Sequence, residues 1–237
     1  MMGVTHVASG LLAGVASAPL VTAAPTGRVV WVLATAGAAL LPDLDTPTST
    51  AARMWGPISQ AIAGLVGRVA GGHRWGTHDV VLAPAAVWVA ASVACQAPVA
   101  AVLLLAVTSG LVIAGLGSVG LGRVGAGGNL AAAGGVGWWH GHVLDPGQVR
   151  LIPWALALGT ITHIAGDAVT VGKVPAPIVW LRRRRRVGVS VLRTGGLLEM
   201  VVVTPGLVLA AGWLAWTSGL DHAVAGHASL MLGMSRW

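Results

Sequence analysis

VASGLLAGVASAPLVTAAPTGRVVWVLATAGAALLPDLD, residues 7–45, carries one charged side chain, Arg28, before it closes on Asp43 and Asp45. The first apolar run, Val7 to Ala24, is followed by Pro25–Gly27 and a second run from Val29 to Leu41, a pattern that predicts a tight helical hairpin. The second run spans roughly 20 Å as a helix, against a hydrocarbon layer of roughly 30 Å. Its acidic end is therefore expected below the membrane surface. The opening MMGVTH lacks the positively charged start of a signal peptide, so residues 7–23 are expected to remain as a helix.

Composition extends the reading to the whole chain. Of 237 residues, 55% are apolar and 9% charged, with a mean hydropathy of +0.81, outside the range of soluble globular domains. The expected fold is all-α, a polytopic transmembrane bundle of about five to seven helices at about 20 residues per crossing. Residues 1–237 form one integral membrane domain on this reading. The net charge of +7 invites a nucleic-acid function. However, Arg182–Arg186 are one compact run without aromatic interleaving, so membrane-surface anchoring is expected and nucleic acid is not. Cys95 is the only cysteine, which excludes an intrachain disulfide and a thiolate metal cluster.

Further along, Ile58 to Val69 is weakly amphipathic and suits a helix at the interface. Residues 80–118 fit two helices broken near Gln96-Ala97-Pro98, or one long tilted helix. The glycine-rich 119–150 fits a loop or a poor helix, Leu151 to Val171 and Leu197 to Trp216 read as helices, and the tail beyond Asp221 is unassigned. Lys173, Arg182–Arg186 and Arg193 place one loop in the cytoplasm, and Arg53, Arg68 and Arg74 another. The protein is then multi-pass in the cell membrane. Residues 80–150 must cross an odd number of times or hold a re-entrant piece.

Five of the seven acidic residues, Asp43, Asp45, Asp79, Asp167 and Glu199, lie at or near ends of apolar helices, where a carboxylate is costly without compensation. Histidines accompany them. His163 and Asp167 lie about 40° apart on one helical face and can address one ion. His73 and His78 would be roughly 140° apart on a straight helix, so a shared site needs a bend at Gly71, Gly72 and Gly76. Asp43 and Asp45 could each reach an ion, or one could orient a histidine. Nitrogen and oxygen ligands suit zinc first, then manganese or iron, as one or two ions. Two ions would clamp a phosphoryl oxygen and acidify water, the chemistry of phosphoester hydrolysis, with Arg74 contacting phosphate and Asp43 or Asp45 acting as base. A structural polar network is the competing reading. His140, His142 and Asp145 form a second possible ligand group, and Asp221, His222 and His227 a weaker one.

Several motifs then combine. Thr5-His6, Leu41-Pro42-Asp43-Leu44-Asp45 with Pro47 and Ser49, His73-Arg74-x-x-Thr77-His78, and Gly159-x-x-Thr162-His163-x-x-x-Asp167-x-x-Thr170 stand in the order seen in the YdjM-like family, and Gly195-x-x-x-Glu199 resembles its later Gly-x-x-x-Glu element. That family is described as membrane-bound, metal-dependent hydrolases, some under LexA control. The resemblance covers roughly 1–80 and 155–203, leaving a glycine-rich insert at about 81–150. It implies His6, Asp43, Asp45, His73, His78, His163 and Asp167 as metal ligands and Glu199 as a further contributor. The family's distant similarity to zinc-dependent phospholipase C favours a phosphoester. Thr46, Trp75-Gly76 and Asp79 depart from the family's usual His, Gly-x and Ser, departures that could alter metal number or substrate choice.

The expectation is a metal-dependent hydrolase that acts on a lipid or amphiphilic phosphoester at the cytoplasmic membrane edge, with membrane lipids as its partners. The alternative is a metal-ion transporter in which the same side chains line a path. The sequence leaves substrate and oligomeric state open.

Overall fold

Proline sets many of the helix boundaries. In the computed structural model, which describes residues 1–118, 125–175 and 186–231, Pro25, Pro57, Pro98 and Pro146 each occupy the first turn of a helix, where a missing N–H costs nothing. Helix α1 is Gly3–Val21 and α2 is Pro25–Ala38. The expected turn at Pro25–Gly27 is thus the first turn of α2, and the reversal is confined to Thr22–Ala24. After a 3-10 turn at Pro42–Asp45 come α3 (Pro57–Val69), α4 (Leu82–Ala94), α5 (Pro98–Gly117), α6 (Ala126–Val143), the single turn α7 (Pro146–Val149), α8 (Ile152–Ala168), α9 (Thr204–Thr217) and α10 (Leu220–Met231). Residues 80–118 therefore form two helices. The glycine-rich segment supplies α6, and the tail supplies α10.

Among the described residues, five segments are long and apolar enough to cross a bilayer: Gly3–Val21, Pro25–Asp45, Pro98–Gly117, Pro146–Ala168 and Glu199–Thr217. With 13 residues, α4 is a shorter apolar helix. Small residues let the helices close on one another. A Cβ at Gly10 would lie 2.7 Å from Ala39 Cβ, and one at Gly159 would lie 2.4 Å from the Thr35 carbonyl oxygen. In this way α1 and α8 both press against α2.

The ends of the bundle differ in chemistry. At one end lie the start of α1, the end of α2, the start of α4, the end of α8 and Glu199, whose Oε1 accepts from the Met2 amide. At the other, Trp88 packs on Trp154 and Gly27 approaches Gln148. The segments holding Arg53, Arg68 and Arg74 and holding Lys173 and Arg193 open at the first end, with α4 to α8 between them. Val174–Pro175 (β1) and Arg186–Val187 (β2) pair antiparallel there. The remaining four arginines of the expected anchor, Arg182–Arg185, and the side chain of His227 lie outside the described residues.

Candidate metal centre

Pro42 creates the first half of the site. It ends α2, and the chain tightens into a 3-10 turn in which the Leu40, Leu41 and Leu44 amides reach back three residues. A helix end leaves carbonyls without helical partners, and that of Ala39 accepts from His163 Nδ1 at 2.7 Å. The contact is possible because Gly159, one turn earlier on α8, lets that helix lie against α2. The same turn carries Asp43 and Asp45 toward the loop 71–78.

That loop bends as its glycines require. Gly71 and Gly72 have φ of +80° and +104°, and Arg74 also adopts a left-handed φ, +61°, a conformation a non-glycine residue holds only with support. Asp45 is the support. Its carboxylate accepts from His73 Nδ1 at 2.7 Å, the Arg74 amide at 3.1 Å, Thr77 Oγ1 at 2.6 Å and Thr46 Oγ1 at 3.0 Å, and His78 Nδ1 is 3.3 Å away. The carboxylate beside His73 raises that imidazole's pKa above its ordinary value.

The proton positions on two histidines follow from their partners. Thr77 gives its hydroxyl proton to Asp45, so His78 Nδ1, 3.0 Å from Thr77 Oγ1, must itself carry a proton. His163 Nδ1 carries one because the Ala39 carbonyl can only accept. With both imidazoles neutral, the two Nε2 atoms are lone-pair acceptors, and they face each other at 3.1 Å with both residues fully buried. Two lone pairs at that separation repel unless a cation lies between or beside them. Asp167 Oδ2 is 3.6 Å from His78 Nε2 and 3.8 Å from His163 Nε2.

His6 brings a third buried imidazole to the same place. It is fully buried and stacks on His163 with ring centroids 3.7 Å apart; its Nε2 lies 3.4 Å from Asp167 Oδ1, and among the described residues neither ring nitrogen makes a well-formed hydrogen bond. Buried polar atoms of that kind are costly unless something satisfies them. Among the described residues, three overlapping sets have donor atoms within 4.8 Å of one another: His6, Asp43 and His163; Asp43, His73 and His78; and His78, His163 and Asp167. The residues present thus fit a divalent metal ion bound through nitrogen and oxygen.

The remaining candidates are placed differently. Asp45 belongs to none of the three sets, because its oxygens hold the loop and His78, the orienting position open to one of the two aspartates. Arg74 lies with Nη2 3.0 Å from Asp167 Oδ2 and Nη1 3.3 Å from Thr170 Oγ1. Glu199 is fully buried and accepts from the Met2 amide at 2.6 Å and the Gly195 amide at 2.8 Å, which ties the start of α1 to the start of the last apolar segment. Asp79 accepts from the Val81 and Leu82 amides at 2.9 Å. It opens α4 as the family's usual Ser could, since both are helix-capping residues, so this departure is accounted for by capping.

His140 and His142 do not converge. Two positions apart on α6 they point about 160° away from each other, and each donates to the carbonyl four residues back, Val136 and Trp138, at 2.7 Å. Asp145 caps α7 in a capping box with Gln148. His222 lies 3.9 Å from Asp221 with its side chain 88% exposed. Among the described residues, neither group forms a metal set. Sequence reasoning assigned no role to Thr77, although it stands inside a quoted motif, and the Ala39 carbonyl carries no sequence signal.

The chain matches the YdjM inner membrane protein family over residues 1–236. It belongs to that family. The match runs through residues 81–150, where the motifs were silent. No curated protein and no solved structure matches the chain.

Proposed function

We propose that this YdjM family member is a membrane-bound metal-dependent hydrolase that cleaves a phosphoester of a lipid or amphiphilic substrate. The observation that carries the reading is the pair of buried imidazole lone pairs held face to face by Asp45 and the Ala39 carbonyl, with Asp167 completing a ligand set. Zinc fits best among cations taking nitrogen and oxygen donors at such a site. A bound divalent ion supplies an acidified water and neutralises phosphoryl charge.

The side chains divide the remaining work. His78, His163 and Asp167 form one ligand set, with His6 beside them, and Asp43 and His73 extend it enough for a second ion. When it is not coordinated to a second ion, Asp43, its side chain 16% exposed, is the carboxylate placed to exchange a proton with water arriving from outside. Arg74 sits where a phosphate oxygen could share its guanidinium with Asp167. Asp45 and Glu199 hold the two chain segments that carry these groups. The basic loops share the site's end of the bundle, which argues for the cytoplasmic face. That the ionisable side chains of these sets gather at one end favours a reaction site over a transport path.

The test is elemental mass spectrometry on detergent-purified protein, followed by phosphoester hydrolysis. Wild type is expected to hold stoichiometric metal, His78→Ala and Asp167→Ala to lose both metal and hydrolysis. Folded wild type that takes up neither zinc nor manganese would overturn the proposal.

A further inference from the structure

Helix α3 has three faces. Around its axis, at about 100° per residue, Ser59, Ala63 and Ala70 form one side and are buried. Gly67 flanks them, so close to the acidic turn that a Cβ there would lie 2.4 Å from the Asp45 carbonyl oxygen. Ser59 fixes the start of the helix by donating to the Ala52 carbonyl at 2.7 Å. Roughly 110° from that side, Ile58, Ile62, Leu65 and Val69 form an unbroken stripe, exposed by 62%, 48%, 62% and 76%. Gln60 and Arg68 lie on the third side.

A water-facing helix would not be expected to gather four large aliphatic side chains in one stripe next to its seat on the protein. A helix lying in a membrane interface would, with one face on the bundle, one on acyl chains and one on water. Charge agrees with this. From Thr46 to His78 the chain holds Arg53, Arg68 and Arg74 and no acidic residue, and Arg53 and Arg68 are exposed. A basic segment of this kind complements anionic headgroups. The exposed apolar residues Val80, Val81 and Leu82 lead into α4 at the same end of the bundle, which continues the lipid-facing surface.

We propose that α3 is an interfacial helix that lays the Ile58, Ile62, Leu65 and Val69 stripe into an anionic bilayer surface, seated directly on the turn that carries Asp43 and Asp45. The inference does not depend on metal or catalysis, because it rests on exposure and charge alone.

The single native cysteine makes the test clean. In a Cys95→Ala background, Ile62→Cys, Leu65→Cys and Gln60→Cys are each labelled with an environment-sensitive fluorophore. The proteins are placed in nanodiscs of phosphatidylcholine and phosphatidylglycerol, with or without brominated acyl chains. Labels at positions 62 and 65 are expected to be blue-shifted and quenched several-fold more by brominated lipid than the label at position 60. Replacing phosphatidylglycerol by phosphatidylcholine is expected to weaken that difference. Equal quenching at all three positions would overturn the proposal. So would labels at 62 and 65 shielded from brominated lipid and aqueous iodide alike, the pattern of a second copy or another protein covering the stripe.

Discussion

Replacing Asp45 by Asn isolates the orienting role from the ligand role. The Asp45 carboxylate accepts four hydrogen bonds of 2.6–3.1 Å, from His73, Arg74, Thr77 and Thr46, and lies 3.3 Å from His78 Nδ1. Asparagine keeps the shape, removes the charge and turns one acceptor into a donor, which meets either the His73 N–H or the Thr77 hydroxyl and Arg74 amide. His78 then loses the group that fixes its tautomer. Groups that orient metal-binding histidines typically contribute 10–100-fold to affinity, or about 1.4–2.7 kcal/mol. Zinc affinity of Asp45→Asn, measured by competition with a chromophoric chelator, should fall by about that factor, with at least one ion still bound at saturating zinc. Thr77→Val, which leaves the charge in place, should fall less. Folded Asp45→Asn with wild-type affinity would refute the inference that the lone pair at His78 Nε2 is set through Asp45.

Two further outcomes test the packing. Gly159→Ala places a methyl 2.4 Å from the Thr35 carbonyl oxygen and should destabilise the fold by about 1–3 kcal/mol, read as a lower unfolding temperature in detergent together with weaker zinc binding as α8 moves from α2. Glu199→Gln leaves one carbonyl oxygen for the Met2 and Gly195 amides and should cost about 1–3 kcal/mol in stability. Its metal content should stay unchanged if Glu199 is a clamp, and would fall if it is a ligand.

Much of the candidate site's geometry was legible because its parts are local. His163 and Asp167 are one turn apart on a single helix, and Asp43 and Asp45 follow a proline that must end another. The bend that joins His73 to His78 was readable from Gly71, Gly72 and Gly76. Residues 119–150 were harder. Glycine lowers helix propensity in water, so α6 has no strong local signature. Its helix is stabilised by packing instead: Gly137 lies against α5 so closely that a Cβ would meet the Val102 carbonyl oxygen at 2.7 Å.

Solvent, fold class and approximate helix number were determined by the sequence itself, because apolar run length and charge scarcity are sums over neighbouring residues. Which histidines meet was decided only by tertiary structure. His140 and His142 look as good on paper as His73 and His78, yet the first pair diverges on a straight helix and the second converges around a bend held by Asp45, 28 residues before His73. The Ala39 carbonyl, the stacking of His6 on His163 and the guanidinium of Arg74 on Asp167 likewise join residues far apart in the chain. Such contacts depend on how closely α1, α2 and α8 approach, and that distance is a property of three surfaces packed together rather than of any one of them.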